Sequence, residues 1–396
     1  MIYDVIIIGA GPIGLMLANL LGQKNISTLI IEKKSKKDAS SKAIGITPPS
    51  LEILHNLQLT PEFVKKGVKI DTAIIHGAKK RLGDIDFRDL PLPYNYILAI
   101  PQIETESILE KNLEKYKCIE IKKEFQFMDL QNNETNLIIN TMSLENQTRE
   151  NYTARYLCAC DGKKSHVRQS INIPFRGGPY HNTFLMGDFH DKTGFGTEAH
   201  LFFTPFGAVE SFPLPQKQRR WIIQTENYMK EVTDNYLEKT VLKRTGIKIH
   251  KSNRLNLSPF GVQHFMIDKY YHNNIIFCGD SAHIMSPIGG QGMNTGFADT
   301  QLACFIIEKL LKQKNGKSVL LNKYNRYRKI AGQSAINRAN YSMGIGTLKG
   351  HVSSSIRNFI IKTLLMSPLK KMIPWHFSML NIPNGTLHKI KDKVFI

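Results

Sequence analysis

YDVIIIGAGPIGLMLANLLGQKNISTLIIEKK, Tyr3 to Lys34, decides the fold class. Val5 to Ile8 is an unbroken apolar run, the pattern of a strand buried on both faces of a parallel sheet. Gly9, Gly11 and Gly14 follow with the spacing G-x-G-x-x-G, and the residues after them read as a helix. In such a unit Gly9 makes the turn, Gly11 lets a pyrophosphate approach the backbone, and Gly14 lets the helix lie against the strand. Pro12 belongs to the same loop, and the helix start that follows points free amides at the phosphates. A second strand, Ser27 to Ile31, ends at Glu32, which is placed to accept the two hydroxyls of an adenosine ribose; Lys33 is grouped with it. The glycines alone are a weak signal. With a strand before them, a helix after them and an acid at the right distance, they specify a dinucleotide site. A carboxylate at Glu32 repels a 2′-phosphate, so the dinucleotide expected here is FAD or NAD, not NADP.

A second glycine-rich stretch, CGDSAHIMSPIGGQGMNTG, runs from Cys278 to Gly296. A short apolar strand, Ile275 to Cys278, leads into Gly279 and Asp280, and an amphipathic helix is expected to begin near Met293. Asp280 can hold a polyol hydroxyl. The backbone from Gly289 to Asn294, at a helix start, can place partial positive charge beside a ring that becomes anionic. Reduced flavin is such a ring. Two cradles so far apart in sequence are explained if they hold opposite ends of one FAD.

Between them the chain does not continue with regular strand–helix repeats. Residues 71–100 and 171–270 contain alternating runs such as HLFFTPFGAVESFPLP and RRWIIQT, bounded by Pro and Gly, which suggest an inserted antiparallel sheet. The expected architecture is α/β: a Rossmann-like FAD-binding domain from residues 1–70, 101–170 and 271–340, a substrate-binding sheet domain from 71–100 and 171–270, and a C-terminal helical segment from 341–396.

Three motifs in this order, GAGPIG with Glu32, CDGKKSHVR from Cys160 to Arg168, and GDSAHIMSPIGGQGMNTG, resemble those of the flavin-dependent aromatic hydroxylases of the para-hydroxybenzoate hydroxylase type, the single-component class A flavoprotein monooxygenases. SSKAIGITPPSLEIL, Ser40 to Leu54, and PQIETESIL, Pro101 to Leu109, are similar to further segments of that family. The resemblance covers roughly residues 1–340. It implies that Asp161 and Arg168 lie near the flavin and help organise the phosphates and the nicotinamide, that Gln102 stands beside the FAD phosphates, and that Asp280 binds the ribityl chain. It also implies that Pro287, Gly289, Gly290, Gln291, Gly292, Met293 and Asn294 line the isoalloxazine ring, with Pro287 through Gln291 as the catalytic environment and no acid or base assigned. Lys42 stands where the family usually has Arg, giving a point charge in place of a bidentate fork.

By the same resemblance, NADPH or NADH is a transient co-substrate, and the reaction hydroxylates a phenolic or polycyclic aromatic substrate with O2 through a flavin C4a-hydroperoxide. The rival reading is a flavin-dependent reductase or epoxidase of an isoprenoid or quinone lipid at a membrane surface. A flavin-dependent halogenase is disfavoured because Trp221 and Trp375 do not form that group's WxWxIP run.

Composition adds bounds. A chain of 396 residues with 42% hydrophobic and 22% charged residues is ordinary for a globular protein, but a net charge of +20 is not. No nucleic-acid recognition motif accompanies that charge. The five cysteines form no CxxC pair and no zinc spacing, so no metal is expected and a reduced compartment fits best. With no basic leader before the first strand and no apolar run long enough to span a bilayer, the expected location is cytoplasmic. His283, His200 and His264 are read as structural histidines, and Phe202, Phe203, Phe206 and Phe212 as sheet core or cavity wall. Finally, Ser353 to Phe377 mixes apolar residues with Arg357, Lys362, Lys370 and Lys371; Ile356, Ile360 and Leu364 share a helical face with Phe359 beside them, and Pro368 breaks the helix. That segment either docks on the body of the protein or makes peripheral contact with a membrane.

Overall fold

In the computed structural model, residues 1–37, 43–78, 80–133, 135–232, 235–313 and 316–387 are described. The first strand, Ile2–Ile8, lies at the centre of an eight-stranded sheet. Arg149–Ala159 pairs with it on one side and Thr28–Glu32 on the other, both parallel to it. Ile275–Phe277 and Ile119–Lys123 extend the parallel set to five strands. Val5, Ile6 and Ile7 have no exposed surface, the burial that a continuous apolar run requires. Helices Pro12–Gln23 and Gln291–Lys312 pack against each other on this sheet. An antiparallel meander, Phe125–Asn132, Leu137–Ser143 and Arg149–Ala159, projects from it.

A second eight-stranded sheet takes Thr72–His76 and Arg81–Asp86 from one stretch of chain and five strands between Phe175 and Ile267 from another. Its pairings are antiparallel except one. Ala199–Thr204 runs parallel to Thr72–His76, and that pair joins the two stretches. His283–Ile284 adds an edge strand from the second glycine segment, so this sheet is pinned to the loop that follows it. A small third sheet, Gly45–Ile46, Ile97–Ala99 and Val68–Ile70, packs against the strand Gly207–Leu214 of the second sheet. Arg219 and Arg220 are buried in the second sheet, each against a carboxylate: Arg219 Nε lies 2.8 Å from Asp191 Oδ2, and Arg220 Nε 2.7 Å from Asp188 Oδ1.

The chain closes with helices Lys317–Gly346 and His351–Met366. The latter stops before Pro368, where a 3-10 turn, Pro368–Met372, takes over. No helix among the described residues is long and apolar enough to cross a membrane.

Candidate functional site

The two glycine cradles touch. An ideal Cβ on Gly14 would lie 1.9 Å from the Gly9 carbonyl oxygen, so only glycine lets the first helix start this close to the strand. Gly9 itself has φ +102°, and a Cβ there would sit 2.6 Å from the Cys160 carbonyl oxygen, which brings the Asp161–Gly162 loop alongside. Ile13 fills the space on the other side: Cβ atoms on Gly279 and Gly296 would meet it at 2.8 and 2.5 Å. Three segments separated by more than a hundred residues each thus share one corner of the parallel sheet, beyond the C-terminal ends of its strands. That is where open α/β sheets hold ligands.

Both helix starts are left open to an anion. Pro12–Gln23 and Gln291–Lys312 have glycine N-caps, no side-chain cap and no acid in the first turn. Their first amides are therefore available and carry the positive end of the helix dipole. At Gly11 an added Cβ would meet nothing within 4 Å. Glu32 sits at the end of its strand, where Oε2 accepts from the Ala10 amide at 2.7 Å and Oε1 from the Lys34 amide at 2.9 Å. Each carboxylate oxygen has a further lone pair for a hydroxyl. Lys33 is exposed beside it.

Asp161 Oδ2 accepts from the Val167 amide at 3.2 Å, so this acid does support the short helix His166–Ser170, whose own N-cap is Ser165. Its Oδ1 is buried with no partner among the described residues, and burial pushes its pKa up against the help of the nearby amides and Ser165. Such an orphaned acceptor is costly unless a ligand donor completes it. Arg168 is buried and lies over the Phe175 ring at 3.9 Å, with burial lowering its pKa. It donates to the Ser281 carbonyl at 3.0 Å and the Lys163 carbonyl at 2.8 Å, which ties the Asp161 loop to the Gly279–Ser281 turn. Gln102 opens the helix Gln102–Leu113 and donates to Glu106 at 2.8 Å. Asp280 is exposed on the turn that Gly279, with φ +64°, makes possible. Lys42 lies outside the described residues.

The segment Pro287 to Asn294 forms a tight loop into the helix. The Gly290 amide donates to the Pro287 carbonyl at 2.9 Å, and Gly289 and Gly290 both have positive φ. Gln291 is buried, its Oε1 without a partner among the described residues, Gly292 is half-buried, and Met293 is buried. Asn294 faces the third sheet: its Nδ2 donates to the carbonyls of Gly45 at 2.9 Å and Gly290 at 2.6 Å, and its Oδ1 accepts from the Thr47 amide at 3.0 Å. It locks the loop to the Gly45–Thr47 strand.

Two parts of the site escaped the sequence reading. One is a buried ion cluster beneath the second cradle. Asp299 Oδ1 accepts from Arg328 Nε at 2.6 Å, and its Oδ2 from the Gly279 amide at 2.8 Å; His283 Nε2 lies 2.7 Å from the same Oδ2. Burial alone would raise the Asp299 pKa, but Arg328, His283 and the amide together hold it below the ordinary value. His283 is fully buried in this cluster, which gives it the structural role expected of it. The available signal was an Asp in the apolar run GFADTQLACFII.

The other is Glu210. It stands on the strand Gly207–Leu214, opposite Leu201 on one side and Ile222 on the other. Val209, its neighbour, points to the opposite face with Trp221 and Leu237. On the Glu210 face, Leu201, Phe203 and Phe212 cluster with Phe377, while Ile222 clusters with Phe260 and Ile288. Ile288 belongs to the glycine loop, and Phe377 would meet a Cβ on Gly289 at 3.9 Å. Glu210 is thus a half-buried carboxylate on an apolar, aromatic wall that shares its clusters with Ile288 of the second cradle and Phe377 beside it. It has no hydrogen-bond partner among the described residues, and burial pushes its pKa up to about 7. The phenylalanines divide accordingly: Phe203 and Phe212 lie on this wall, Phe202 packs behind it with Trp221, and Phe206 is exposed at the intervening turn. His200 is also behind it, 3.0 Å from His76 and stacked on Phe195; burial and His76 lower its pKa to about 3.

These features fit FAD: paired uncapped helix starts for the phosphates and the flavin, an open approach at Gly11, and orphaned polar atoms on Asp161 and Gln291 along the same corner. Comparison with known proteins agrees. An FAD-binding-domain family model matches residues 2–339. The chain is 27% identical over 307 residues to the rifampicin monooxygenase of Streptomyces venezuelae, covering 75% of this chain and 62% of that one. It is 27% identical over 337 residues to a 3-(3-hydroxy-phenyl)propionate/3-hydroxycinnamic acid hydroxylase of Escherichia coli, covering 82% and 59%. It therefore spans about three fifths of the length of these curated relatives. The crystal structure of p-nitrophenol 4-monooxygenase from Pseudomonas putida has the same fold, with a TM-score of 0.86 at 18% identity over 96% of this chain and 98% of that one. With the glycine cradles, the inserted sheet and the family match in agreement, the chain belongs to the FAD-dependent class A flavoprotein monooxygenases.

Proposed function

We propose that this protein uses NADH or NADPH and O2 to hydroxylate a phenolic or polycyclic aromatic substrate, as a single-component enzyme. The observation that carries the reading is the Glu210 wall: apolar and aromatic side chains for a flat ring, one carboxylate, and Ile288 of the second glycine loop clustered with Ile222. The flavin, when bound, supplies the reduction and oxygen-activating chemistry. The chain's own residues do the rest. Gly9 to Gly14 and Glu32 hold the adenosine and pyrophosphate end. Asp161, Gln102, Gly279 and Asp280 hold the middle, with Arg168 bracing their loops. The amides from Gly289 to Asn294 place positive charge beside the flavin, and Leu201, Phe212 and Ile222 keep water from the ring. Glu210 accepts the O–H of the substrate, and near neutral pH it can take that proton and make the ring more electron-rich.

The relatives quoted are named for aromatic or antibiotic substrates, and neither is named a lipid reductase or epoxidase. The deciding experiment measures NAD(P)H oxidation by FAD-loaded protein, with peroxide followed in parallel, across a panel of phenols, quinols and polyketide-like aromatics. Strong stimulation with little peroxide and ¹⁸O from O2 in the product supports the reading; no stimulation by any compound overturns it.

Glu210→Gln separates function from stability. Because the folded pKa of about 7 lies above the ordinary 4.5, the folded state holds a proton that the unfolded state releases. Stability therefore falls as pH rises from about 4.5 through 7. The Gln variant is expected to be more stable than the parent by up to about 3 kcal/mol above pH 7 and equal to it near pH 4. It is also expected to lose ten- to a hundredfold or more of its substrate-stimulated turnover, on the order of a general-base contribution. Urea titrations at the two pH values check the first part, and steady-state kinetics the second.

A further inference from the structure

The helix His351–Met366 buries a mixed polar and apolar face and turns an apolar one outward. Ser354, Arg357 and Leu365 are buried, with Ile361 packed beside them in the cluster under the second sheet. Arg357 donates to the Leu348 carbonyl at 2.7 Å, and Asn358 to the Phe203 carbonyl at 3.2 Å. The face that carries Ile356, Ile360 and Phe359 is turned outward. Val352 is 73% exposed, Ile356 57%, Phe359 72%, Ile360 59% and Met366 75%, and Leu369 of the following turn is 55% exposed. An apolar stripe of this length is far more than the scattered exposed hydrophobics of an ordinary surface.

Its surroundings are basic. From Lys309 to Lys391 the chain contains no Asp or Glu. Lys362, Lys370 and Lys371 are exposed along the stripe; Lys370 lies near Asp86, and no ion pair is recorded for Lys362 or Lys371 among the described residues. A second copy of this chain is a poor partner, because a two-fold contact would set these lysines against their own images. An anionic lipid surface satisfies both features at once, with the apolar stripe entering the acyl boundary and the lysines meeting headgroups.

We propose that the outward face of His351–Met366 and the turn after it form a peripheral docking surface for anionic membranes. This does not depend on the substrate. The test is flotation of full-length, FAD-loaded protein with vesicles of phosphatidylcholine alone or phosphatidylcholine with phosphatidylserine. The protein is expected to float with the anionic vesicles at low salt, to be released by high salt, and to stay at the bottom with the neutral ones. A Phe359→Ser/Ile360→Asn variant keeps the charge and removes two exposed anchors, so its partitioning should fall by about tenfold or more with FAD content unchanged. Two results overturn the proposal: wild-type protein that stays at the bottom with anionic vesicles, or a variant that floats as well as wild type, which would assign binding to the overall charge. A wild-type dimer abolished by the same variant would assign the stripe to self-association, and overturns it as well.

Discussion

Gly11→Val is expected to produce a folded protein without its cofactor. Gly11 has φ −73°, which any residue adopts, and an added Cβ meets no protein atom within 4 Å. The new side chain therefore starts in open space, where a ligand whose phosphates approach the backbone would meet it. An overpacking penalty at the upper end of the usual ~1–3 kcal/mol corresponds to about a hundredfold weaker FAD binding. Gly14→Ala is the contrast. Its Cβ would lie 1.9 Å from the Gly9 carbonyl oxygen and 3.3 Å from Ile7 Cγ2, so the helix must move off the strand. That variant should lose both stability and FAD. The measurements are flavin absorbance after purification, an FAD titration, and urea unfolding of the apo forms. If Gly11→Val binds FAD as tightly as wild type, the pyrophosphate does not pass over Gly11.

The other large effect is expected at Asp299. Among the described residues its carboxylate is the only partner of Arg328 Nε, and both residues are buried. Asp299→Ala leaves that guanidinium charged and uncompensated, strands His283 Nε2, and removes the acceptor of the Gly279 amide. Breaking one side of a buried pair costs about 3–5 kcal/mol. A double change, Asp299→Leu with Arg328→Met, should recover part of this, since the buried pair itself is worth little beyond an apolar replacement. The pH dependence follows from the sign of the shift. The folded-state pKa lies below the ordinary 3.8, so the stabilisation is complete above that value and lost as pH falls through the folded pKa. Wild type should therefore lose more stability on acidification than Asp299→Ala does. Unfolding midpoints at neutral pH and across the acid range test this; an unchanged midpoint at neutral pH would sink it. Because Asp299 holds the Gly279 turn, the single variant should also bind FAD more weakly.

Much of this protein is legible in the chain itself, for local reasons. A short apolar run that ends at a glycine turn suits a strand covered on both faces, and glycine takes up positive φ and close backbone approach at the least cost. Ile2–Ile8, the first helix and the turn at Gly9 therefore follow from a few adjacent residues. The same holds for Ile275–Phe277, and for the helix that starts at Gln291, two residues before the position expected. Alternation likewise announced the inserted sheet.

What only the tertiary structure decided is which of two equivalent faces points where. An alternating strand has two sides, and nothing local says which one is turned toward the second glycine loop. Glu210 is a candidate only because the fold puts Leu201 and Ile222 beside it and packs Ile222 against the same cluster as Ile288. Asp299 and Arg328 are far apart in the chain and on different helices, so their pairing depends on how those helices pack. The helix His351–Met366 makes the point most sharply. With apolar residues on both faces, its hydrophobic period identified a helix but not its buried side, and the docked face was set by the fit of Arg357, Asn358 and Leu365 against the second sheet. Local steric and solvation rules act between neighbours in sequence; the choice between two faces that both carry apolar residues is made by surfaces that the chain brings together from elsewhere.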